Sequence, residues 1–309
     1  MICPACDSSS NIAIESTVDY KMYKCSECNL EFADPMKSGD NLFYQSNKFY
    51  TLKRLLSEKN ITPSLRTKWE FGRFFKHNLN CHGKLLDIGC GEGQFLYYAK
   101  KDGYDVYGVE MDKWSVETAK KYYKLKNIYK GDFDSYYANK FKIKFDVITF
   151  FELIEHLESP KDFLKKVSDL LISGGYIALS TPNANRITVR LHMREHFDYP
   201  PHHLTRWEPA TLYRFIESQG FKIMSHDLSP QILRSFITGR KTWWGGKNAN
   251  ADRFLNALTM EKKYALWLIK SYLRFLDYLY FIEDIVISPL QLFQIYGVVQ
   301  FVLAKKIEQ

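Results

Sequence analysis

The sequence predicts an α/β fold, a doubly wound and largely parallel sheet with a small cysteine-bearing module in front of it. Three observations carry this. The stretch "KLLDIGCGEGQFLYYAKK" runs from a short apolar strand through closely spaced glycines into a helical pattern. From there to about residue 226, apolar strands alternate with amphipathic helical segments. Ahead of them, two CxxC pairs stand 18 residues apart.

Length and composition bound the possibilities. A chain of 309 residues holds one large domain or two modest ones with ample core. Apolar residues at 46% and charged residues at 25% are ordinary for a globular protein, whereas 16% aromatics is high and suits packed or substrate-lining rings. The net charge of +8 favours anionic partners and carries no fold information. Much of it lies between Lys113 and Lys144, which hold nine Lys, no Arg and three acids, the pattern of a solvated face rather than of phosphate recognition. "MICPACDSSS" lacks a basic n-region and an apolar h-region, so no secretory signal is expected. Six cysteines in such a chain point to a reducing compartment, hence a cytoplasmic location.

Residues 1–34 are expected to form a zinc ribbon. "CPAC" (Cys3, Cys6) and "CSEC" (Cys25, Cys28) offer two thiolates each from tight turns, and the "NIAIESTVDYKMYKC" segment between them alternates like short strands. So small a unit cannot fold on its core alone, and four thiolates close the site, so the zinc would be structural. Cys81 and Cys90 are expected to be ordinary buried thiols. Residues 35–81 form a helical connector, with Leu65, Trp69, Phe71, Phe74, Phe75 and Leu79 at roughly helical spacing, either packing on the next domain or covering its cleft.

The cofactor half spans 82–230. The strand Leu85 to Ile88 enters Gly89, Gly91 and Gly93, and a helix follows to Lys101. Glycines let the backbone turn sharply and approach a ligand, and the helix N-terminus can receive negative charge. A second strand ends at Glu110, where a carboxylate can hold a ribose diol. A dinucleotide fingerprint needs a third glycine at position 94, which is Gln. What stands here instead is an acidic residue, Asp87, entering a GxGxG loop. "IYKGDFDS" places Asp132 after a third strand, and "FDVITFFELIEHL" opens with a fourth that is apolar throughout, as a strand buried on both faces should be. "SPKDFLKKVSDLL" starts a helix with Ser159 as N-cap and Pro160 at its first position. "SGGYIALSTPN" turns into a fifth strand.

Asp87-x-Gly-x-Gly-x-Gly, followed in order by acidic strand tips at Glu110 and Asp132, resembles motif I and its sequel in the class I S-adenosylmethionine (SAM) methyltransferases. The resemblance covers about residues 84 to 226. It implies a Rossmann-like seven-stranded sheet and SAM as cofactor, held by Asp87, Gly89, Gly91, Gly93, Glu110, Met111, Asp132, Phe133 and Phe151, with Asp132 on the adenine amino group. It also implies a further helix and strand, "EPATLYRFIESQG" and "FKIMSHDLS", and an antiparallel last strand placed at Tyr296 to Lys306 within a final segment 296–309. Residues 231–295 then form a helical insertion. Ile285 to Ala304 has no charge for twenty residues, the length of a membrane span, but Pro289, three glutamines and the strand-like tail argue against one. In "KKYALWLIKSYLRFLDYLYFIED", Lys263, Lys270, Arg274, Asp277 and Asp284 share one helical stripe. The wide apolar face this leaves either packs over the domain, lies on a membrane surface or grips a lipid-linked substrate.

"FELIEHL" raises the question of chemistry. On a helical turn Glu152, Glu155 and His156 would share one face, just beyond the fourth strand where ligands bind in such sheets. The loop "HFDYPPHHLTRWEP" can reach the same place. The ExxEH segment is similar to that of the ubiquinone-biosynthesis O-methyltransferases. In the eukaryotic small-RNA 2′-O-methyltransferases the same set joins a His shortly before a Trp to bind a divalent metal, and here His203 precedes Trp207. "PHHLTRW" is also similar to the active-site segment of sugar C-methyltransferases that carry a zinc module, with His202 where they have Glu. These resemblances imply catalytic roles for His203, Glu152, His156 and His202. His203 would act as a general base, or complete Glu152, Glu155 and His156 as a site for magnesium, manganese or zinc; purely structural roles stay open. His192 and His196 are expected in solvated loop.

The expectation is therefore a SAM-dependent methyltransferase, O-methylating a small molecule or glycan such as a sugar, a nucleotide- or lipid-linked precursor, or a quinone-like acceptor. A peripheral membrane contact is compatible with it. The alternatives are RNA methylation, using the ribbon and the Lys-rich face, and a non-catalytic SAM-binding protein whose ribbon holds a partner.

Overall fold

A computed structural model describes residues 1–39, 68–79, 82–140, 143–190, 198–229 and 297–308, together with positions 271, 275 and 278. Cys81, His192, His196, most of the connector and the insertion with its charged stripe lie outside the described residues.

The chain opens with three short antiparallel strands, β1 (Asn11–Ser16), β2 (Lys21–Cys25) and β3 (Glu31–Asp34). The two cysteine turns are built alike. Asp7 and Asn29, directly after the two CxxC pairs, both take left-handed φ, near 63° and 64°. Their N–H groups donate to the carbonyls of Cys3 and Cys25, each at 3.0 Å. Asp and Asn are the residues other than glycine that tolerate this conformation. A fourth strand completes the small sheet in the order β1-β2-β3-β9; β9 (Thr205–Arg206) comes from far downstream and pairs antiparallel with β3.

Within residues 35–81, Trp69–Lys76 forms a helix, α1, that packs on the domain. Phe71 and Phe74 are buried, each 5.2 Å from the Phe95 ring. The main sheet then alternates as expected: β4 (Lys84–Ile88), α2 (Gln94–Lys101), β5 (Asp105–Glu110), α3 (Lys113–Tyr122), β6 (Ile128–Lys130), α4 (Phe133–Lys140), β7 (Phe145–Phe151), α5 (Pro160–Leu170), β8 (Leu171–Pro182), α6 (Ile187–Arg190), α7 (Pro209–Ser218), β10 (Phe221–Leu228) and β11 (Val299–Lys306). Its strand order is β10-β11-β8-β7-β4-β5-β6. The five strands from β8 to β6 are parallel, and β11 runs antiparallel between β8 and β10.

Apolar side chains fill both faces. Leu86, Ile88, Ile148, Phe150 and Leu179 pack against α5, while Leu85, Val147, Ala178 and Phe301 face α1 and α2. Burial of each large side chain contributes on the order of 1.5–3 kcal/mol. The order reverses between β4 and β7, and this switch point opens the crevice in which such sheets bind ligands.

Three local expectations needed adjustment. Ser159 does occupy the N-cap of α5 with Pro160 following, but its side chain makes no capping hydrogen bond. The last strand starts at Val299 rather than at the expected Tyr296; at Gly297, just ahead of it, the backbone passes so close to Ser229 that a Cβ would sit 2.5 Å from its carbonyl oxygen. "FELIEHL" is not one helical turn. Glu152 takes a left-handed φ of 51°, and only Ile154–His156 forms a 3₁₀ turn. Within the uncharged run 285–304, residues 299–304 are strand within the sheet, and among the described residues no helix is long and apolar enough to cross a membrane.

Candidate active site

The glycine loop leaves β4 with Gly89, Gly91 and Gly93 at φ of 75°, 54° and 80°, all in the region that favours glycine. A Cβ on Gly89 would meet only the side chain of Leu153, which stands over the loop; nothing in the sequence had singled Leu153 out. Glu110 clips the loop to its own strand end, accepting from the N–H of Gly91 and of Asp112, each at 2.8 Å. Asp112 in turn caps α3 by accepting from Ser115 N–H at 2.9 Å. Met111, between them, is exposed.

Asp87 lies at the base of the loop, buried, and accepts a 2.7 Å hydrogen bond from the Thr149 hydroxyl. Burial pushes its carboxyl up to about 7, the Thr149 bond opposes this, and the charge of Glu110 adds to it. Asp132 takes the N–H and hydroxyl of Ser135 at 2.7 and 2.9 Å, and these bonds hold its carboxyl below the usual range. Phe133 packs on Phe163, and Phe151 turns into the aromatic cluster with Phe71 and Phe95. The donor set fits SAM: a loop with glycine at every second position, two carboxylates at successive strand tips, and a buried acid whose ionised form a cationic ligand would stabilise.

Beyond the crevice the structure assembles a different set from the one expected on "FELIEHL". His156, His202 and His203 bring one ring nitrogen each within 4.8 Å of one another, with ring centroids 4.9 Å apart in every pairing. Glu152 stands outside this trio. Its left-handed backbone directs the carboxylate to the Ser180 hydroxyl, which donates to it at 2.9 Å. Burial, reinforced by Glu70, pushes the Glu152 carboxyl up to about 7. Glu155 is buried beside the trio. Its Oε2 accepts from the Thr181 hydroxyl at 2.9 Å, while Oε1 has no hydrogen-bond partner and lies 3.8 Å from His156 Nε2.

His156 donates from Nδ1 to the carbonyl of His202 at 2.5 Å, which leaves Nε2 as its acceptor nitrogen. Burial, with His203 and His202 beside it, lowers its pKa to about 3, so the ring is neutral at any working pH. His203 Nδ1 lies 3.5 Å from a carboxylate oxygen of Asp198, whose other oxygen pairs with buried Arg186. Glu155, Thr181, Arg186, Asp198, His203 and Arg206 line one small polar cleft. Sequence reasoning had missed Asp198, Arg186 and Arg206. Their one visible trace is that Asp198 and Arg206 flank the "YPPHHLT" loop on either side.

At the amino terminus the four cysteines gather. Every sulfur lies within 4.8 Å of the others, Cys3–Cys28 at 3.6 Å and Cys6–Cys25 at 3.5 Å. Four sulfurs at about 2.3 Å from a tetrahedral zinc stand about 3.8 Å apart, so the set fits that metal. The contact with Cys28 lowers the Cys3 thiol to about 5. Among the described residues no disulfide forms, and burial raises the thiol pKa of Cys90.

A Rossmann-like sheet, a glycine-rich loop at its switch point and acids on successive strand tips define a nucleoside-binding enzyme of the methyltransferase type. The chain belongs to the class I SAM-dependent methyltransferases: residues 52–226, more than half of it, match the family model described as a methyltransferase domain. It is 33% identical over 108 residues to the mitochondrial ubiquinone biosynthesis O-methyltransferase of Schizosaccharomyces pombe, covering 33% of this chain and 39% of that protein. To the ubiquinone biosynthesis O-methyltransferase of Coxiella burnetii it is 27% identical over 190 residues, 53% of this chain and 81% of that one. In fold it is similar to phosphoethanolamine N-methyltransferase 2 of Haemonchus contortus in complex with SAM, with a TM-score of 0.53 at 13% identity over 85% of this chain and 58% of that one.

Proposed function

We propose that the protein methylates a hydroxyl oxygen of a small aromatic, quinone-precursor-like acceptor, and that His156, His202, His203 and Glu155 hold a divalent metal beside it. The observation that carries this reading is the trio of imidazoles closed against the unpartnered Glu155 Oε1. A buried carboxylate oxygen without a donor is costly, and a cation is the natural partner for it. The likeness to the ubiquinone biosynthesis O-methyltransferases of S. pombe and C. burnetii supports an O-methyl acceptor of this class.

SAM supplies a methyl group already activated by its sulfonium. What the chain adds is chiefly position. Asp87, Glu110 and the glycine loop would hold the amino-acid and ribose parts, and Asp132 the adenine. A metal in the trio would lower the pKa of the acceptor hydroxyl. His156 serves as a neutral ligand because its Nδ1 proton is committed to the His202 carbonyl. Glu152 acts on the wall of the crevice through Ser180, not as a ligand.

The test is metal content per chain, with methyl transfer from SAM to a simple catechol. Two equivalents are expected in the native protein and one in His203→Ala and His156→Ala, with turnover falling at least about 10²-fold. Glu152→Ala is expected to keep both equivalents. One equivalent in every form would remove the second metal and leave His203 as a general base oriented by Asp198 at 3.5 Å. Unchanged turnover in His203→Ala would sink both roles.

A further inference from the structure

We infer that the amino-terminal ribbon is part of the acceptor site, and that Arg206 is the positioning residue that carries its fold to His203. The inference rests on His203 belonging to that site, as proposed above.

The residue directly after His203 is held from two sides. Leu204 donates its N–H to the carbonyl of Glu155 at 2.8 Å, and its own carbonyl accepts from the N–H of Ala33 on β3, also at 2.8 Å. Its side chain is buried against Met22 and Ala33 of the ribbon. One residue thus ties the ExxEH segment, the histidine loop and the ribbon together.

Two residues further on, Arg206 is only 4% exposed and has its guanidinium occupied on every side. Nε donates to the main-chain carbonyl of Asp198 at 2.8 Å. Nη1 reaches Glu15 on β1 and Glu31 on β3 at 3.1 and 3.0 Å, and Nη2 reaches Glu15 at 3.1 Å. Its plane lies over the Tyr199 ring, 5.0 Å from the centroid. A planar fork can make these bonds at once, and a lysine cannot. Asp198 is the residue whose carboxylate faces His203, with Arg186 on its other oxygen. The two ribbon glutamates therefore orient Arg206, Arg206 fixes the backbone of Asp198 and Tyr199, and Asp198 sets the His203 ring.

Binding a ribbon to a domain needs apolar contact and no particular charge. Burying a guanidinium between two ribbon carboxylates and the catalytic loop costs desolvation that an apolar pair would avoid. The arrangement is explained if the geometry it fixes is used.

The test uses the full zinc-loaded chain and the Arg206→Met, Arg206→Lys and combined Glu15→Gln, Glu31→Gln variants. Three quantities are read: amide hydrogen exchange over residues 198–205, affinity of the histidine trio for Co²⁺ by its visible absorption, and SAM affinity by calorimetry. In Arg206→Met, exchange in the loop is expected to accelerate and Co²⁺ affinity to fall about 10- to 100-fold, as for loss of an outer partner of a ligating histidine. SAM affinity and the one equivalent of ribbon zinc are expected to stay as they are. Arg206→Lys should recover little, and the glutamine pair, which keeps the shape of both acceptors, should shift both readouts part of the way. If Arg206→Met does not fold, the glutamine pair decides. Native-like exchange and Co²⁺ affinity in the folded variants would overturn the inference. A native protein that takes no Co²⁺ at the trio would overturn the metal reading instead, and loop exchange would still decide the role of Arg206.

Discussion

Asp87 is a carboxyl group that the fold buries under the glycine loop with a hydroxyl for a partner, and the cost of that choice depends on pH. In the unfolded chain it loses its proton near 3.8, and in the folded chain near 7, chiefly because burial disfavours the charge. Between these values the folded state retains a proton that the unfolded state has released. Stability therefore falls as pH rises from about 4 to about 7, and the full cost remains above that. Asp87→Asn removes the charge at constant shape. It is expected to raise the melting temperature of the ligand-free protein by several degrees at pH 8, with the gain fading toward pH 4. The same change should weaken SAM binding at least about tenfold, since the amide cannot offer a charge to a cationic ligand. Melting curves at several pH values with a SAM titration check both parts, and a variant less stable than native at pH 8 would refute the first. The motif alone had placed Asp87 at the cofactor, but that the group is strained there follows only from its burial.

Elements were legible in the sequence where their cause is local. The β4 strand, the glycine loop and α2 follow from an apolar run, three glycines and a helical pattern, and all stand where expected. Gly93 shows why substitution there is restricted. Its φ is 80°, and an added Cβ would lie 2.5 Å from Leu125 Cδ1 and 3.0 Å from Ala119 Cβ. Gly93→Ala is expected to cost about 1–3 kcal/mol through strain and overpacking, read as a lower urea midpoint at unchanged slope. A loss below about 0.5 kcal/mol would mean that α3 and the Leu125 turn give way easily. Where the cause is long-range, the sequence was silent or misleading. Helical spacing in "FELIEHL" suggested one face, but the chain turns left-handed at Glu152 on leaving β7, sends that carboxylate to Ser180 on β8, and brings in His202 instead. A two-residue strand such as β9 has no period to detect, and its partner lies some 170 residues away.

At the scale of the molecule the question is whether the ribbon and the methyltransferase sheet are two bodies or one. As a sequence, the first 34 residues look like a separable module that zinc holds together. In the structure Cys3, Cys25, Leu30 and Phe32 pack into the same apolar cluster as Trp207, Leu212 and Phe215 of the segment that follows the histidine loop. Trp207 and Phe32 are fully buried, and the Trp207 ring lies 4.9 Å from Phe215. The carbonyl of Cys28 accepts from the Thr211 hydroxyl at 2.5 Å and from Arg214 at 3.3 Å, so a cysteine turn is itself hydrogen-bonded to α7. Elements that share a core in this way should unfold together. The zinc-loaded protein is expected to show one calorimetric transition with its van't Hoff and calorimetric enthalpies equal. Removing zinc with a strong chelator, or replacing Cys25 by Ser, should lower that whole transition by several degrees rather than detach a small early one, because metal binding adds its free energy to the state in which the site is formed. Two separate transitions, with the larger unmoved by the chelator, would show an autonomous ribbon. The positioning of His203 through Arg206 would then have to hold without any thermodynamic coupling between the two sheets.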